Sequence, residues 1–118
     1  MPGDIRLTSK LFSRGCSALA IFCLFISADA HANLEAGKAK AQTICQTCHG
    51  MDGMAVQAMV PNLSGQPKDY LVMQMKAYRS GKRQHERMSL IAAMLTDEDI
   101  ENLAEWFSSI KITLQLPL

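Results

Sequence analysis

Two cysteines and a histidine lie within five consecutive residues, Cys45-Gln46-Thr47-Cys48-His49. Each thiol can form a thioether with one vinyl group of a porphyrin, and a two-residue gap on a helical turn spans the two vinyls. The imidazole that follows then lies beneath the iron, where a ring nitrogen can bind the metal. A C-x-x-C-H motif therefore predicts one covalent haem c, attached through Cys45 and Cys48 and ligated by His49.

Other uses of a C-x-x-C pair fit this chain less well. A thioredoxin-like redox pair needs a βαβ context, and no strand-like run precedes Cys45. A structural zinc site needs four ligands, commonly from a second C-x-x-C or an H-x-x-x-H pair. Outside the motif the chain offers only His31, His85 and two cysteines near its N-terminus. A plain disulfide between Cys45 and Cys48 would leave His49 without a role.

The first 32 residues have the three-part pattern of a secretory signal peptide. Basic side chains come first, then an apolar stretch of twelve residues, 17–28, then small residues with two A-x-A cleavage sites. We favour cleavage after Ala32, with Ala30 as the alternative. Cys16 and Cys23 then belong to the discarded leader. Because a spanning helix needs about 20 apolar residues, the stretch is too short for a retained anchor, and the mature chain is expected to have no membrane span.

The mature domain, residues 33–118, has only 86 residues. Domains of this size bury about 60–65% of the surface that the unfolded chain exposes, and they often need an additional stabilising element. A covalently held porphyrin supplies a large apolar core element. We therefore expect the polypeptide without haem to be poorly folded.

The mature domain has helical patterns separated by turn residues. Residues 34–47 are rich in alanine, lysine and glutamate and favour a helix that carries the haem motif at its C-terminal end. Pro67 is well placed to open a second helix over residues 68–80, and Gly81 to end it. Thr96 begins a third helix with a capping-box pattern. The residues predicted to form the buried face of that third helix are Ile100, Leu103, Ala104, Phe107 and Ile110.

Two features suggest how these helices are arranged. Gly37 lies inside the first helix, where glycine costs about 1 kcal/mol relative to alanine, so close packing against residues 103–107 is expected. Residues 50–66 form a long loop with many turn residues. Long loops without secondary structure are usually functional, and this loop is expected to wrap one face of the haem.

The second axial position of a haem iron is either open or filled by methionine, histidine or another residue. Seven methionines lie outside Met1, and methionine is a common filler of hydrophobic cores. Met88 lies in a polar, irregular stretch, from which a loop can deliver its sulfur to the iron. Spacing alone leaves Met59, Met94 and His85 open as alternatives.

The mature domain carries nine basic and nine acidic side chains and is neutral overall, but the charges are segregated. The basic cluster consists of Lys76, Arg79, Lys82, Arg83 and Arg87. The acidic cluster consists of Asp97, Glu98, Asp99, Glu101 and Glu105. Acidic residues favour helix N-termini, and a basic cluster is more often a solvated face than a docking site. No basic patch is interleaved with aromatic residues, so nucleic acid is not an expected partner.

These patterns resemble the class I c-type cytochromes. The resemblance is strongest to the small mono-haem bacterial periplasmic type, whose domain also forms the halves of two-haem periplasmic cytochromes. It implies an all-α cytochrome c fold, with three main helices plus loops wrapped around one covalently bound haem. The stretches that carry the resemblance are 45–50, 60–66, 70–75, 78–81, 88–92 and 95–100.

The resemblance implies roles for three further residues. In that family the methionine just before a short apolar turn is the sixth iron ligand, and here it is Met88. Pro61 corresponds to the proline whose carbonyl accepts a hydrogen bond from His49, and such a partner fixes the imidazole and raises its basicity. Arg79 is placed to approach a haem propionate. Many relatives have proline two residues after the methionine, where this chain has Leu90.

A periplasmic one-electron carrier, and not an enzyme, is the function that the resemblance implies. Haem c is attached after export, and two protein ligands close both axial positions. The partners would be redox proteins that bind transiently, and the basic cluster could steer an acidic one. The sequence leaves the oligomeric state, the electron donor and the electron acceptor open.

Two alternative functions keep the haem. One is a cytochrome subunit docked permanently to a dehydrogenase or oxidase, with the apolar tail, residues 110–118, in the contact. The other is a haem enzyme or gas sensor in which Met88 stays off the iron. Co-purification tests the first, and carbon monoxide binding to the ferrous protein at neutral pH tests the second.

Overall fold

The computed structural model describes residues 32–117. Residues 1–31, which hold nearly all of the predicted signal peptide, lie outside the described residues. The helices are α1 (Leu34–Ile44), α2 (Gln46–His49), α3 (Lys68–Arg79), α4 (Met88–Ala93) and α5 (Asp97–Ser109). No strand occurs between residues 32 and 117. The predicted all-α fold is confirmed, and α1, α3 and α5 are its three main helices.

The predicted first helix is interrupted at Cys45, so the rest of the haem motif, Gln46–His49, forms the separate short helix α2. The Asn33 side chain caps α1 by accepting a hydrogen bond from the Ala36 N–H at 3.1 Å. At Cys45 the main-chain oxygen accepts hydrogen bonds from the N–H groups of Cys48 at 3.2 Å and His49 at 3.0 Å. This carbonyl therefore starts a new helical turn, and the motif forms one compact unit.

Helix α1 crosses α5 at Gly37, as the interior glycine predicts. A Cβ atom on Gly37 would lie 2.0 Å from the carbonyl oxygen of Asn102 and 3.1 Å from Cβ of Trp106. The contact thus begins one residue before the range expected from the sequence. The Asn102 side chain is buried and accepts a hydrogen bond from the main-chain N–H of Asn33 at 2.6 Å. This bond fixes the start of α1 against the middle of α5.

The protein core is built around α5. The buried face predicted for this helix is confirmed for Ile100, Leu103, Ala104 and Phe107, which are all at most 5% exposed. Ile110 lies just beyond the end of α5 and is only partly buried. The other buried apolar residues are Ala41, Leu71, Ala92 and Leu95. Within the described chain only Ile100 is a large side chain with less than 2% exposure, so the polypeptide alone provides a thin core.

The ends of α3 and α5 follow the sequence pattern. Ser80 ends α3, and Gly81 follows with a φ of 78°, which glycine adopts readily. Thr96 and Asp99 form a complete capping box, because the hydroxyl of Thr96 accepts from Asp99 N–H and the Asp99 carboxylate accepts from Thr96 N–H. Both boundaries were predicted from the local sequence.

The acidic cluster of α5 pairs with cations on α1 and α3. The pairs are Lys40–Asp99 at 3.0 Å, Lys68–Glu105 at 3.0 Å, Lys76–Glu101 at 3.5 Å, and Arg79–Asp97. Two members of the basic cluster, Lys76 and Arg79, are therefore engaged inside the molecule. None of the helices between residues 32 and 117 has the length and apolar character to cross a membrane.

Candidate haem site

Helix α2 and its N-cap residue, Cys45, bring the two thiols and the imidazole together. Cys45 and Cys48 are free cysteines, both half-buried, and the His49 side chain is 7% exposed. Burial, reinforced by the neighbouring Cys48, raises the pKa of the Cys45 thiol to about 12. The thiol is therefore uncharged at neutral pH. A thioether is also uncharged, so this environment suits the covalent linkage that the motif predicts.

The His49 ring is held by the carbonyl oxygen of Pro61. The Nδ1 atom of His49 lies 2.9 Å from that oxygen, which is an acceptor only, so Nδ1 carries the proton. The other ring nitrogen, Nε2, is then the basic atom that can bind a metal. Hydrogen bonding at one ring nitrogen and ligation at the other is the usual arrangement of a metal-binding histidine.

The loop between α2 and α3 is bonded back onto the haem motif. The Val56 N–H donates to the Cys48 carbonyl at 3.0 Å, and the Gln57 amide donates to the Thr47 carbonyl at 3.0 Å. Gly53 is buried where the loop turns back on itself. A Cβ atom at Gly53 would lie 2.7 Å from the main-chain nitrogen of Ser64. These contacts bring the Pro61 carbonyl to the imidazole.

Met88 is the first residue of α4, and its side chain is half-buried. The preceding residue connects this segment to the haem motif, since the Arg87 guanidinium donates to Gln57 Oε1 at 3.2 Å and to Cys48 Sγ at 3.8 Å. The fold therefore places the segment that contains Met88 next to Cys48 of the haem motif. The contact between Arg87 and Gln57 was not predicted from the sequence, which placed Arg87 only in the basic cluster, because no local pattern marks a contact 30 residues apart.

The two alternative methionine ligands are more exposed than Met88, and the alternative histidine, His85, is engaged in hydrogen bonds. Met59 is fully exposed and has a φ of 66°, and Met94 is 69% exposed. The ring nitrogen Nδ1 of His85 accepts hydrogen bonds from the main chain of its own turn. Among residues 32–117, no group of three or more His, Cys, Asp or Glu side chains is arranged to hold a metal ion.

Arg79 has two protein partners. Its guanidinium donates to the Leu95 carbonyl at 3.1 Å and to the Asp97 carboxylate. The hydrogen bond from Arg79, followed by its charge, lowers the pKa of Asp97. These contacts join α3 to the start of α5, and the contact of Arg79 with a haem propionate stays a prediction.

Comparison with known proteins now identifies the family. The sequence model of the family described as "Cytochrome c" matches residues 34–111. The chain belongs to the cytochrome c family. This cytochrome c is an electron-transfer protein rather than an enzyme, and its cofactor is covalently bound haem c. The resemblance inferred from the sequence is confirmed, and the free thiols of Cys45 and Cys48 and the imidazole of His49 fit that cofactor.

Three similar proteins illustrate the range of relatives. Cytochrome c-554(548) of Halomonas halodenitrificans is 43% identical over 77 residues, which cover 63% of this chain and 92% of that protein. The thiosulfate dehydrogenase electron acceptor of Stutzerimonas stutzeri is 38% identical over 69 residues, covering 56% of this chain and 32% of that protein. The solved structure of cytochrome c4 from Acidithiobacillus ferrooxidans superposes with a TM-score of 0.63 and 30% identity, over 70% of this chain and 52% of that chain. The chain spans about half the length of its cytochrome c4 relatives.

Proposed function

We propose that the mature domain, residues 33–118, is a periplasmic one-electron carrier whose haem iron is bound by His49 and Met88. The observation that carries this proposal is the buried His49 ring, whose Nδ1 is fixed 2.9 Å from the Pro61 carbonyl oxygen. This hydrogen bond leaves Nε2 as the basic nitrogen, on the short helix that carries Cys48 and is preceded directly by Cys45. The bond supports axial ligation by His49.

The protein side chains determine how the cofactor behaves. Haem, when bound, supplies an iron that takes up and releases one electron. The Pro61 carbonyl holds the His49 imidazole in one orientation and raises its basicity. The Met88 thioether is an uncharged, soft ligand that favours the ferrous state relative to a second imidazole. His49 and Met88 would together leave no position on the iron open to a substrate, which suits electron transfer.

Substitution of Met88 tests the axial ligation. Oxidised and dithionite-reduced visible spectra of the wild type are expected to show haem c, and the ferric form to show the weak long-wavelength band of sulfur bound to iron. Met88→Ala should lose that band and bind carbon monoxide readily in the ferrous state. Met94→Ala removes an exposed methionine six residues away and is the matched control. If Met88→Ala kept the band, Met88 would not be the ligand.

Export is tested by the mass of the purified protein. The pattern of residues 1–32 supports removal of a signal peptide, and haem c attachment outside the cytoplasm fits that route. We expect an N-terminus at Asn33, or at His31 if the other A-x-A site is used, with the mass of one haem added. An N-terminus at Met1 would contradict export with cleavage.

The partners are proposed to be redox proteins that bind transiently. Because Lys76 and Arg79 pair with acidic residues of α5, the basic cluster presents mainly Lys82, Arg83 and Arg87 to a partner, all of which are exposed. Electrostatic steering by these side chains should make the association rate fall as salt is added, since the screening length is about 10 Å at 0.1 M. Lys82→Gln should weaken the salt dependence more than Lys111→Gln in the tail. A rate independent of ionic strength would exclude steering.

A second function, that of a subunit docked to a dehydrogenase, is favoured by two observations. Two relatives are named as thiosulfate dehydrogenase electron acceptors. In addition, the tail exposes Ile112, Leu114 and Leu116 by 52%, 80% and 85%, and stable partners commonly bury such apolar side chains. Co-purification with a dehydrogenase from the native host, lost when residues 112–118 are removed, would support this function over a free carrier. Recovery of only the isolated cytochrome would count against it.

A further inference from the structure

His85 makes hydrogen bonds with the turn that begins α4 through both its side chain and its main chain. Its ring Nδ1 accepts from the N–H groups of Arg87 at 3.2 Å and Met88 at 3.3 Å. Its main-chain N–H donates to Ser89 Oγ at 3.0 Å, and its carbonyl accepts from the Ser89 N–H at 3.0 Å. The side chain three residues before Met88 is thus bonded directly to the main chain of Met88.

The Ser89 N–H bonds to the carbonyl of His85, four residues earlier, so one helical turn precedes α4 and His85 lies at the cap position of that turn. Arg87 and Met88 supply the second and third N–H groups of the turn, and a histidine takes the place of the usual capping residue. The first N–H groups of a helix have no partner inside the helix, and a side chain at the cap position normally accepts from the second or third of them. Serine, threonine, aspartate and asparagine are the preferred capping residues. Here the His85 ring accepts both hydrogen bonds, and the Ser89 hydroxyl, four residues on, accepts in return from the His85 N–H, which resembles the reciprocal bonding of a capping box.

The cap requires a particular state of the ring. Because Nδ1 accepts two hydrogen bonds, the neutral ring carries its proton on Nε2. The ring also stands edge-on to Tyr78, with the two centroids 6.4 Å apart and the planes at 74°. Tyr78 lies on α3, so this contact connects the cap to a main helix. The same hydrogen bonds commit Nδ1, so that nitrogen is not available as an iron ligand unless the cap opens.

We infer that His85 is a positioning residue that holds the Met88 turn in place and so keeps the sulfur of Met88 on the iron. This inference rests on the proposed function, in which Met88 is an axial ligand. Helix α4 has only six residues, and so short a helix is marginal without a cap or tertiary contacts. Removing the acceptor would leave two N–H groups without a partner in the protein and raise the population of open conformations, in which an external ligand can replace Met88.

Competition by cyanide measures how firmly Met88 is held. The matured ferric holoprotein is titrated with cyanide at one fixed pH, and the dissociation constant is obtained from the visible spectra. His85→Ala should bind cyanide about fivefold to tenfold more tightly than the wild type, the effect expected when a capping side chain is lost. His85→Asn supplies an acceptor oxygen at the same position and should restore most of the wild-type affinity. Glu86→Ala changes an exposed side chain on the same turn and should have no effect.

The outcomes separate this inference from the proposed function. A wild-type ferric protein without a sulfur-to-iron band would mean that Met88 is not a ligand, and the proposed function would fail first. With the band present, equal cyanide affinities for His85→Ala and the wild type would overturn the capping role. So would His85→Asn behaving like His85→Ala. If His85→Ala fails to mature, Ser89→Ala removes the reciprocal half of the cap and should still raise cyanide affinity, and an unchanged affinity there would also overturn the inference.

Discussion

The ring Nδ1 of His49 lies 2.9 Å from the main-chain carbonyl oxygen of Pro61. The two residues are twelve positions apart, and the loop between them is closed by hydrogen bonds that include Leu63 N–H to Gly53 carbonyl at 2.7 Å. The acceptor is a main-chain atom, so its position depends on the conformation of the loop and not on the identity of a side chain. The proline ring restricts that conformation by fixing φ.

Pro61→Gly should therefore raise the reduction potential. A hydrogen bond from Nδ1 makes the imidazole a stronger donor and stabilises ferric iron, so a loosened bond favours the ferrous form. Loss of up to about 1 kcal/mol of hydrogen bonding corresponds to a rise of at most roughly 40 mV for a one-electron couple. Redox titration by visible spectroscopy measures the shift. Pro117→Gly in the exposed tail is the control, and a potential equal to that of wild type in Pro61→Gly would refute the expectation.

Gly37→Ala should destabilise the protein despite the better helix propensity of alanine. The new Cβ would lie 2.0 Å from the Asn102 carbonyl oxygen, so α1 and α5 must separate. Overpacking costs about 1–3 kcal/mol, and a backbone oxygen only 2.0 Å away places this site toward the upper end, above the gain of about 1 kcal/mol in propensity. Urea denaturation of the holoprotein, followed by helical circular dichroism, gives the difference. Gly81→Asn is a useful comparison, since Gly81 has open space around it and asparagine tolerates its positive φ; a loss there equal to that of Gly37→Ala would argue against steric crowding.

The free energy of unfolding should fall in acid, because Asp99 becomes protonated and its contribution is lost. Burial raises the pKa of Asp99, but hydrogen bonds from Lys40 and Thr96 outweigh that effect and hold the pKa below its ordinary value of 3.8. Because the folded-state pKa is lowered, the contribution to stability is complete above pH 3.8 and is lost as the pH falls further through the folded-state pKa. The difference in urea midpoint between wild type and Asp99→Asn should therefore shrink between pH 6 and pH 3. Glu86→Gln, on an exposed turn, should give a small difference with little dependence on pH.

A chain that lacks both thiols should not reach the native helical content. Only Ile100 is a large, fully buried side chain in the described part of the chain, so the apolar surface buried by protein alone is small for a domain of this size. The double variant Cys45→Ala with Cys48→Ala is expected to show reduced ellipticity at 222 nm and a broad thermal transition. Gln46→Ala with Thr47→Ala makes two changes in the same motif and keeps the thiols. Native helicity in the double cysteine variant would show that haem is not needed for folding.

Features that depend only on residues close together in the chain were predictable from the sequence. The haem motif, the capping box at Thr96 and Asp99, and the glycine that ends α3 are local patterns, and the structure has all three. The buried face of α5 follows from helical periodicity, which requires no knowledge of the partner helix. Interruption of the first helix at Cys45 was not predicted, because it depends on which carbonyl the N–H groups of Cys48 and His49 select.

Several contacts that shape the site could not be predicted from sequence patterns. The hydrogen bonds that join Arg87 to Gln57, and Asn33 to Asn102, connect residues 30 and 69 positions apart. Pairing of Lys76 and Arg79 with α5 changed the interpretation of the basic cluster, since two of its five side chains are neutralised within the fold. The capping role of His85 was also missed, because histidine is not among the preferred capping residues.

By itself, then, the sequence determined the chemistry of the cofactor and the positions of the main helices. Thioether formation needs two thiols at one spacing, and a helix needs only its own periodicity and caps. Both can therefore be predicted from short stretches of sequence. The tertiary structure decided which carbonyl orients the His49 ring, where the segment before Met88 contacts the loop at Gln57, and which cations remain exposed. Those outcomes depend on distances between segments far apart in the chain, and such distances exist only once α1, α3 and α5 have packed together.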